Sequence, residues 1–590
     1  MGTVGASYDG GDAGPTSAAP TASKTAPAQS SLAARSAQTS VSDNFLRNYV
    51  APTADFSQAV QMTPGLFSYS PNGVGLGDTR TNFRGFTDGN YNMTFDGIPF
   101  QDTNGVSHHS WVFFPGPFLG GTVVDRSPGS ASTIGVATFN GSINLLSRNL
   151  DPQESSTVSG SLGSWNTHTL GFEHETGQFG EDGNQNLLFT AQNMTSDGYQ
   201  TYNDQSRKDF SLKYQNALTN NTVLTVFASA LNMQNNTPNV VNPTRGQIAQ
   251  YGNNYLLSND PTKANYWRYN FYNVDTYFDY VGITSNLGDG WKLDDKVYAY
   301  RYGNNQNYAN VAPTAANIAT SASAKLNEYE TKGNILRLSK ESSMGTLRTG
   351  LWLDYADSVR YTTNANPQTW VNSGLPQNQE TYTTTTVQPF VEYEFNVTDK
   401  LKVTPGLKYA FYQQDFNHMP DTGSPGVGNL GGAASVSNTV SYHDVLPSFD
   451  VHYMLQPNWS LYGQYGTGDI IPPTSVFDVK NAYVATQPKP QYARTTQFGT
   501  VWQSDKYTFD FDVYHTSLQG SYSSYLDANL NPVYYLSGTE ISQGIEAESN
   551  ILLGSGFSLY LNGTYGSVKY ANTGLWFAGA PSDTETVGLS

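Results

Sequence analysis

The feature that most constrains this chain is a period-two alternation of side chains that begins near Ser155 and persists to the end, without any run of about 18 apolar residues. In 401–411, Leu401, Val403, Leu407, Tyr409 and Phe411 share one face, while Lys402, Thr404 and Lys408 share the other. Tyr507, Phe509, Phe511 and Val513 oppose Thr508, Asp510 and Asp512 in the same way. Phe557, Leu559, Leu561 and Tyr565 oppose Ser558, Tyr560, Asn562 and Thr564. Successive side chains of a strand point to opposite faces, so each segment predicts a strand with one apolar and one polar face. A helical membrane protein is excluded, because nothing in the chain is long and apolar enough to span as a helix.

At 590 residues the chain needs several soluble domains or one large sheet. Aromatic residues make up 13% of it, and Asp, Glu, Lys and Arg together only another 13%, about half the usual charged fraction. Many aromatics, few charges and strict alternation fit a transmembrane antiparallel β-barrel, whose lipid-facing and lumen-facing residues average each other out. A soluble all-β protein is the alternative, but no blade-like repeat recurs at a fixed period. Short connections (Thr398–Lys400, Gln456–Asn458, Ser504–Lys506) alternate with long ones (232–269, 302–326, 413–438), as in barrels with tight turns on one rim and loops on the other. Counting from Ser155 predicts roughly seventeen or eighteen strands of about ten residues. Barrels that hold a plug have about 22. Residues Thr584 to Ser590 read as the opening of a strand, so about four more are expected beyond them.

Other chemistry is narrowed by composition. The chain has no Cys, which removes disulfides and thiolate metal sites, and a net charge of −18, which leaves no basic stripe for nucleic acid. Residues 1–28 are small, polar and low in complexity, too poor in large apolar groups to repay ordering, and predict a flexible arm without a secretory signal. Order is expected to begin in 29–41, and 55–62 predicts a short helix stopped by Pro64-Gly65. No GxSxG elbow, HExxH helix or P-loop occurs, and Gly73 to Gly77 lacks the GxGxxG spacing, so no catalytic group is assigned.

The stretch from Asn82 to Arg148 is different: short apolar runs (93–95, 122–124, 142–146) broken by Gly, Asp, Asn and Pro predict a small unit of short strands and tight turns. It carries, in order, Arg84-Gly85-Phe86, Asp96-Gly97-Ile98-Pro99, Val124-Asp125-Arg126-Ser127-Pro128, Ile134-Gly135 and Gly141-Ser142-Ile143-Asn144. These five motifs resemble the plug of the TonB-dependent outer-membrane receptors. Farther along, Pro447-Ser448-Phe449 with Trp459 to Tyr465, and Gln543-Gly544-Ile545-Glu546-Ala547-Glu548, are similar to the family's barrel motifs. Ser127, Asn140 and Gln497 depart from the family pattern, which has Gly, Gly and Glu at those positions.

The resemblance runs from about Ala26 onward and implies an arm (1–28), an α+β plug domain in the lumen (29–150) and a barrel (151–590), with Gly85, Asp96, Gly97, Pro99, Gly135, Gly141 and Asn144 as plug motif residues. It implies a multi-pass barrel in a Gram-negative outer membrane, surrounded by lipid and coupled to the TonB protein of the inner-membrane complex. Gly2 to Gly5 is the nearest match in the arm to a TonB-binding segment. It also implies energy-coupled uptake of a scarce small-molecule ligand, with a ferric siderophore as the leading cargo. Carbohydrate, cobalamin and other metal chelates remain open, as does a passive porin-like or structural barrel. No cofactor, resident metal or enzymatic activity is implied. An Arg enclosed in a lumen must be paired, so Arg84 and Arg126 are expected to anchor the plug to Glu546 and Glu548. The plug apices nominate Tyr91, Phe100, Gln101, His108, His109, Trp111, Phe113 and Phe114 for ligand contact. The adjacent His108 and His109 would point to opposite faces of an extended segment, which suits loop packing or ligand contact better than a shared metal.

Overall fold

The computed structural model describes residues 22, 26–423, 431–432, 434–476, 489–530, 532–536, 538–571 and 583–589. Most of the expected arm, 1–21 and 23–25, lies outside them.

The N-terminal unit contains strands β1 (Ala28–Gln29), β2 (Gln38–Val41), β3 (Leu66–Tyr69), β4 (Arg80–Phe83), β5 (Asn92–Phe95), β6 (Ile98–Pro99), β7 (Leu119–Asp125) and β8 (Ser142–Ser147). Six form one sheet in the order β1-β2-β7-β8-β5-β6, in which only the β5–β8 pairing is parallel; β3 and β4 make a separate hairpin. Helix α1 (Asp43–Tyr49) starts at Ser42, whose hydroxyl accepts from the Phe45 amide. Helix α2 (Phe56–Val60) begins with an Asp55/Gln58 capping box, which satisfies amides that the helix itself leaves unpaired.

The motif glycines occupy positions that only Gly can fill. Gly141 has φ +130°, and a Cβ there would lie 2.4 Å from the Asp125 carbonyl and 2.6 Å from the Phe83 ring. Its carbonyl accepts from the Asn92 amide at the head of β5. Gly141→Ala is therefore expected to weaken the β5–β8 register by about 1–3 kcal/mol, read as faster proteolysis of the plug in isolated membranes at unchanged barrel content.

Among the described residues, eighteen strands, from Glu154–Gly163 to Asp583–Leu589, form one large antiparallel sheet around this unit. Each pairs with its neighbour in chain order, except that a two-stranded hairpin (Tyr522–Leu526 and Pro532–Leu536) stands apart in the connection after Tyr507–Gln519. The sheet is inverted in polarity. In Tyr507–Gln519 the exposed positions include Tyr507, Phe509 and Val513, with His515 and Gln519 toward the loop end, while Thr508, Asp510 and Asp512 are buried on the inner face. Lipid is the solvent that accepts such an outer face. Among the described residues, no helix is long and apolar enough to cross a membrane.

Most strands run longer than the expected ten residues, up to the 25 of Asn372–Asn396. The first half of that strand is rich in Asn, Gln and Thr on both faces, so alternation fades before backbone pairing does. For the same reason the connection expected at 302–326 shrinks to the residues between Trp291–Ala309 and Ala322–Ser342.

Candidate functional site

Two of the plug motifs are hairpin turns with positive φ at both central residues, the pattern of a type I′ turn. In the first, Arg84 (φ 48°) and Gly85 (φ 84°) are enclosed by reciprocal Phe83 and Phe86 amide-to-carbonyl bonds of 2.8 and 2.9 Å. The second is Asp96 (φ 50°) and Gly97 (φ 77°), between the paired Phe95 and Ile98. A non-Gly residue held at positive φ is strained, and the tight turn directs its side chain outward from the plug.

Arg84 is aimed at the barrel strand Glu540–Gly554. Its Nε and Nη2 donate to the two carboxylate oxygens of Glu546 at 2.9 and 2.8 Å, and its guanidinium lies 3.6 Å from the centroid of the Tyr514 ring. Arg126, at the end of β7, reaches the same carboxylate through Nε at 2.7 Å. Its Nη2 donates to Asp512 at 3.0 Å and Asp510 at 3.2 Å. Arg84 Nη1 also donates to the Arg126 carbonyl, and Arg126 Nη1 to the Thr39 hydroxyl. Burial disfavours both guanidinium charges, yet the facing carboxylates, with Glu546 and Asp512 foremost, hold both arginines above their ordinary pKa.

Glu548, expected as the second partner of these arginines, makes no ion pair with either. It accepts from Ser30, Thr39 and Tyr560, each at 3.1 Å, and Thr39 of β2 stands between it and Arg126. Asp510 and Asp512 were not foreseen as partners, although their place on the polar face of an alternating strand was a usable signal. A second tether was also missed: Arg35, between β1 and β2, contacts Glu392 at 3.3 Å and Glu394 at 3.8 Å. Lys408 donates to the Thr133 carbonyl at 2.6 Å, and the Gln388 amide donates to the Gly135 carbonyl at 3.1 Å. Asn144 holds the sheet together from within, accepting from Thr94 at 2.8 Å and donating to the Val123 carbonyl at 3.1 Å. Pro99 pairs with Thr94 on the β5–β6 edge.

The nominated ligand contacts are mostly interior. Tyr91, Phe100, Gln101, His108, Phe113 and Phe114 are all buried, and only His109 and Trp111 keep partial exposure. The reason is aromatic packing between plug and wall, which buries more apolar area than pointing the rings outward would. Phe114 stacks on Phe95 at 4.3 Å and meets Phe278 of the wall at 5.2 Å; Phe100 meets Phe114 at 4.9 Å and Phe113 at 5.7 Å. Tyr91 stacks on His108, whose Nδ1 is 2.5 Å from Asp88. Burial pushes the Asp88 carboxyl up, but His108 outweighs that and holds it below its ordinary value. The Gln101 amide donates to the Tyr300 hydroxyl at 3.2 Å.

His109, at φ 47°, turns away from His108, stacks on Tyr302 at 4.1 Å and places Nδ1 3.2 Å from the Tyr329 hydroxyl. Burial pushes its imidazole below the ordinary value, so it is neutral at pH 7. Trp111 meets Tyr272 edge-on. His109 opens onto a cavity of about 270 Å³ whose walls include Asp102, Asn104, Lys325, Asn327 and Arg360. It lies near the long-loop rim of the barrel, since Lys325 and Arg360 sit close to the loop ends of their strands. Lys325 and Arg360 were not foreseen: single basic residues at loop boundaries carry no motif.

Comparison with known proteins gives a consistent result. The family model described as TonB-dependent receptor plug domain matches residues 31–142, and that described as TonB dependent receptor-like, beta-barrel matches 212–589. The unliganded ferric citrate transporter FecA superposes with a TM-score of 0.76 at 14% identity, covering 94% of this chain and 82% of that one. The siderophore receptor PiuA of Acinetobacter baumannii gives 0.74 at 14% identity, with 95% and 85% covered. The ferric yersiniabactin uptake receptor FyuA of Yersinia pestis gives 0.72 at 14%, with 96% and 84% covered. At these identities the likeness establishes the fold. No curated protein matches the chain. With both the plug model and the barrel model matched in order over most of its length, the chain belongs to the TonB-dependent receptor family of outer-membrane β-barrel proteins.

Proposed function

We propose that this protein imports a ferric siderophore across the outer membrane, driven through the TonB protein. The observation that carries the reading is a lumen filled by a plug tethered through a buried ion cluster, with a small polar cavity above it on the long-loop side. A filled lumen has no use in passive diffusion, so a cargo must favour one arrangement of the plug over another. Among solved structures of the same fold, those named above are titled as ferric citrate, siderophore and ferric yersiniabactin receptors, which supports an iron chelate as cargo.

In this reading 1–28 is the arm, 29–150 the plug domain and 151–590 the barrel. Arg84, Arg126 and Glu546 anchor the plug, with Asp510 and Asp512 completing the anchor. His109 and Trp111 meet the ligand, while Tyr91, Phe100, Gln101, His108, Phe113 and Phe114 support them from beneath. Gly85, Asp96, Gly97, Pro99, Gly135, Gly141 and Asn144 fix the turns and sheet that present both groups.

The test is growth of a deletion strain on single iron sources, followed by uptake of radiolabelled ferric chelates with and without a protonophore. The expected result is uptake of at least one ferric chelate that stops when the inner membrane is de-energised. Uptake indifferent to the protonophore, or a large steady conductance of the intact protein in planar bilayers, points to a porin instead. Trp111→Ala is expected to weaken binding of the transported chelate about ten-fold, roughly 1.4 kcal/mol, measured by equilibrium binding to purified protein.

A further inference from the structure

The buried ion cluster fastens the plug to the wall from Asn372–Asn396 round to Phe557–Tyr570. The wall from Glu154–Gly163 to Gly345–Ala365 holds it through Arg148, paired with Glu173 and Glu175, and through Gln192 and Arg207, which donate to the Pro52 and Thr53 carbonyls. Beneath the plug lies a cavity of about 1280 Å³, bounded on the plug side by β7 and β8 residues such as Thr122 and Asn144 and reaching Phe390, Asp450 and Gln464 of the ion-cluster wall. On the barrel side Thr225, Gly282, Lys296, Arg337 and Thr349 line it. The lining continues to Asn220 and Asn221, in the tight turn after Gln205–Thr219, and to Glu341, beside the turn after Ala322–Ser342, so the cavity reaches the short-turn rim.

One layer of rings stops it from continuing outward. Two residues farther along the strand that carries Thr225 stands Phe227, and two residues before Gly282 stand Tyr280 and then Phe278, all buried. Phe227 and Phe278 close on Phe95 at 4.9 and 5.5 Å, and Phe114 completes the layer. Around it the plug is held by Tyr280, which donates to the Asp96 carboxylate at 2.7 Å, by Lys296 to the Asp96 carbonyl at 2.9 Å, by Arg337 to the Gly97 carbonyl at 3.2 Å, by Lys213 to the Ser147 hydroxyl and the Arg148 carbonyl at 2.8 Å, and by Thr276 to the Val112 carbonyl at 3.1 Å. Above it a column of rings, Tyr300, Tyr329 and Tyr302, leads to His109 and the outer cavity. Both cavities are lined by the same two barrel strands: Lys325 and Arg337 belong to Ala322–Ser342, Arg360 and Thr349 to Gly345–Ala365.

We infer that cargo crosses along this wall, through the ring layer of Phe95, Phe114, Phe227 and Phe278, while the plug stays attached to the opposite wall. The inference rests on the import reading above. It requires displacement of the Asp96–Gly97 turn and the Phe114 loop, and it leaves the Arg84–Arg126–Glu546 cluster closed during passage. The route below the layer is polar and already open, so the layer is the barrier.

The test uses the full-length protein in cells and in planar bilayers. Phe114→Ala with Phe278→Ala is expected to make cells at least ten-fold more sensitive to a large hydrophilic antibiotic that general porins exclude, and to produce a steady conductance. Phe86→Ala with Phe139→Ala removes an equal ring pair near the tethered wall, and is expected to leave both readouts at the parent level. Assembly is checked by heat-modifiable migration in gels; if the first pair fails to assemble, Phe278→Ala alone is read against Phe139→Ala. Adding Thr225→Trp, which places an indole directly beneath the ring layer, is expected to reduce the leak. Equal leakage from both pairs, an assembled Phe114/Phe278 variant that stays tight, or a leak indifferent to Thr225→Trp overturns the route. The leak needs no cargo, so its absence counts against the route alone, whereas failure of every ferric chelate to be taken up counts against the cargo.

Discussion

Glu546→Gln is expected to loosen the plug while leaving the barrel folded. The Glu546 carboxylate accepts two bonds from Arg84 and one from Arg126, with all three side chains buried. Removing one partner of a buried pair leaves the other charge uncompensated, which costs about 3–5 kcal/mol. Asp512 and Asp510 offset part of this for Arg126, but Arg84 keeps a single carboxylate, Asp512 at 3.4 Å, beside the Arg126 carbonyl and the Tyr514 ring. Limited proteolysis of the plug in isolated outer membranes reads the loss, with heat-modifiable migration reporting the barrel. Glu548→Gln is the matched control: its partners are hydroxyls, the amide oxygen still accepts from Ser30 and Thr39 while the NH2 donates to the Tyr560 hydroxyl, which itself donates to the Met62 carbonyl, and the expected loss is about 1 kcal/mol. Equal protease resistance in the two variants would sink the assignment of Glu546 as the anchor. Replacing Arg84 and Glu546 together by Met is expected to recover part of the loss, since it removes one charge of each sign and leaves Arg126 paired with Asp510 and Asp512.

The contrast between Glu546 and Glu548 marks where sequence reasoning stops. Two positions apart on one strand, they share a face and a motif, and nothing local separates them. What separates them is the segment from Ser30 to β2, which brings the Ser30 and Thr39 hydroxyls to Glu548 and sets Thr39 between it and Arg126, a tertiary fact with no trace in the strand itself. The barrel was legible for the opposite reason. Lipid outside and a polar filling inside impose one rule on every strand, and that rule is written as alternation in Tyr507–Gln519 and Leu401–His418. Strand ends were less legible, because Asn372–Asn396 continues pairing into a stretch polar on both faces. The plug turns could be read from Arg84-Gly85 and Asp96-Gly97, where positive φ is required at both residues. Their neighbours were misplaced. A run such as Trp111, Phe113, Phe114 is equally suited to an open binding face and to a packed seam, and only the wall's Phe278 and Tyr300 decide for Phe113 and Phe114.

Arg35→Glu is expected to free the N-terminal strap, residues 26–41, from the wall. The Arg35 side chain is mostly buried and faces Glu392 and Glu394, with Asp450 nearby. Burial opposes its charge, but those three carboxyls hold its pKa above the ordinary arginine value, so it is a cation at every accessible pH. An acid in its place would stand among three others in a mostly buried site, and about 3 kcal/mol is the expected loss. Arg348 and Lys402 already neutralise part of Glu392 and Glu394, so the substitution adds a charge that nothing nearby can match. The strap has weaker hold elsewhere: His452 bonds the Leu32 carbonyl at 2.8 Å and Gln503 donates to the Ser30 carbonyl at 2.9 Å. Its release propagates, because the Arg126 amide donates to the Ala37 carbonyl at 2.7 Å and Thr39 bridges Arg126 and Glu548. Lifting the strap therefore strips partners from the ion cluster at the moment a pull on the N-terminus would act. The measurement is the rate of proteolytic cleavage within 26–41 in isolated membranes. Arg47→Glu serves as the control, since its pair with Asp43 is half-exposed and contributes under about 1 kcal/mol. If the two variants are cleaved equally fast, Arg35 is not what fastens the strap, and the chain of contacts from strap to Arg126 has no energetic weight.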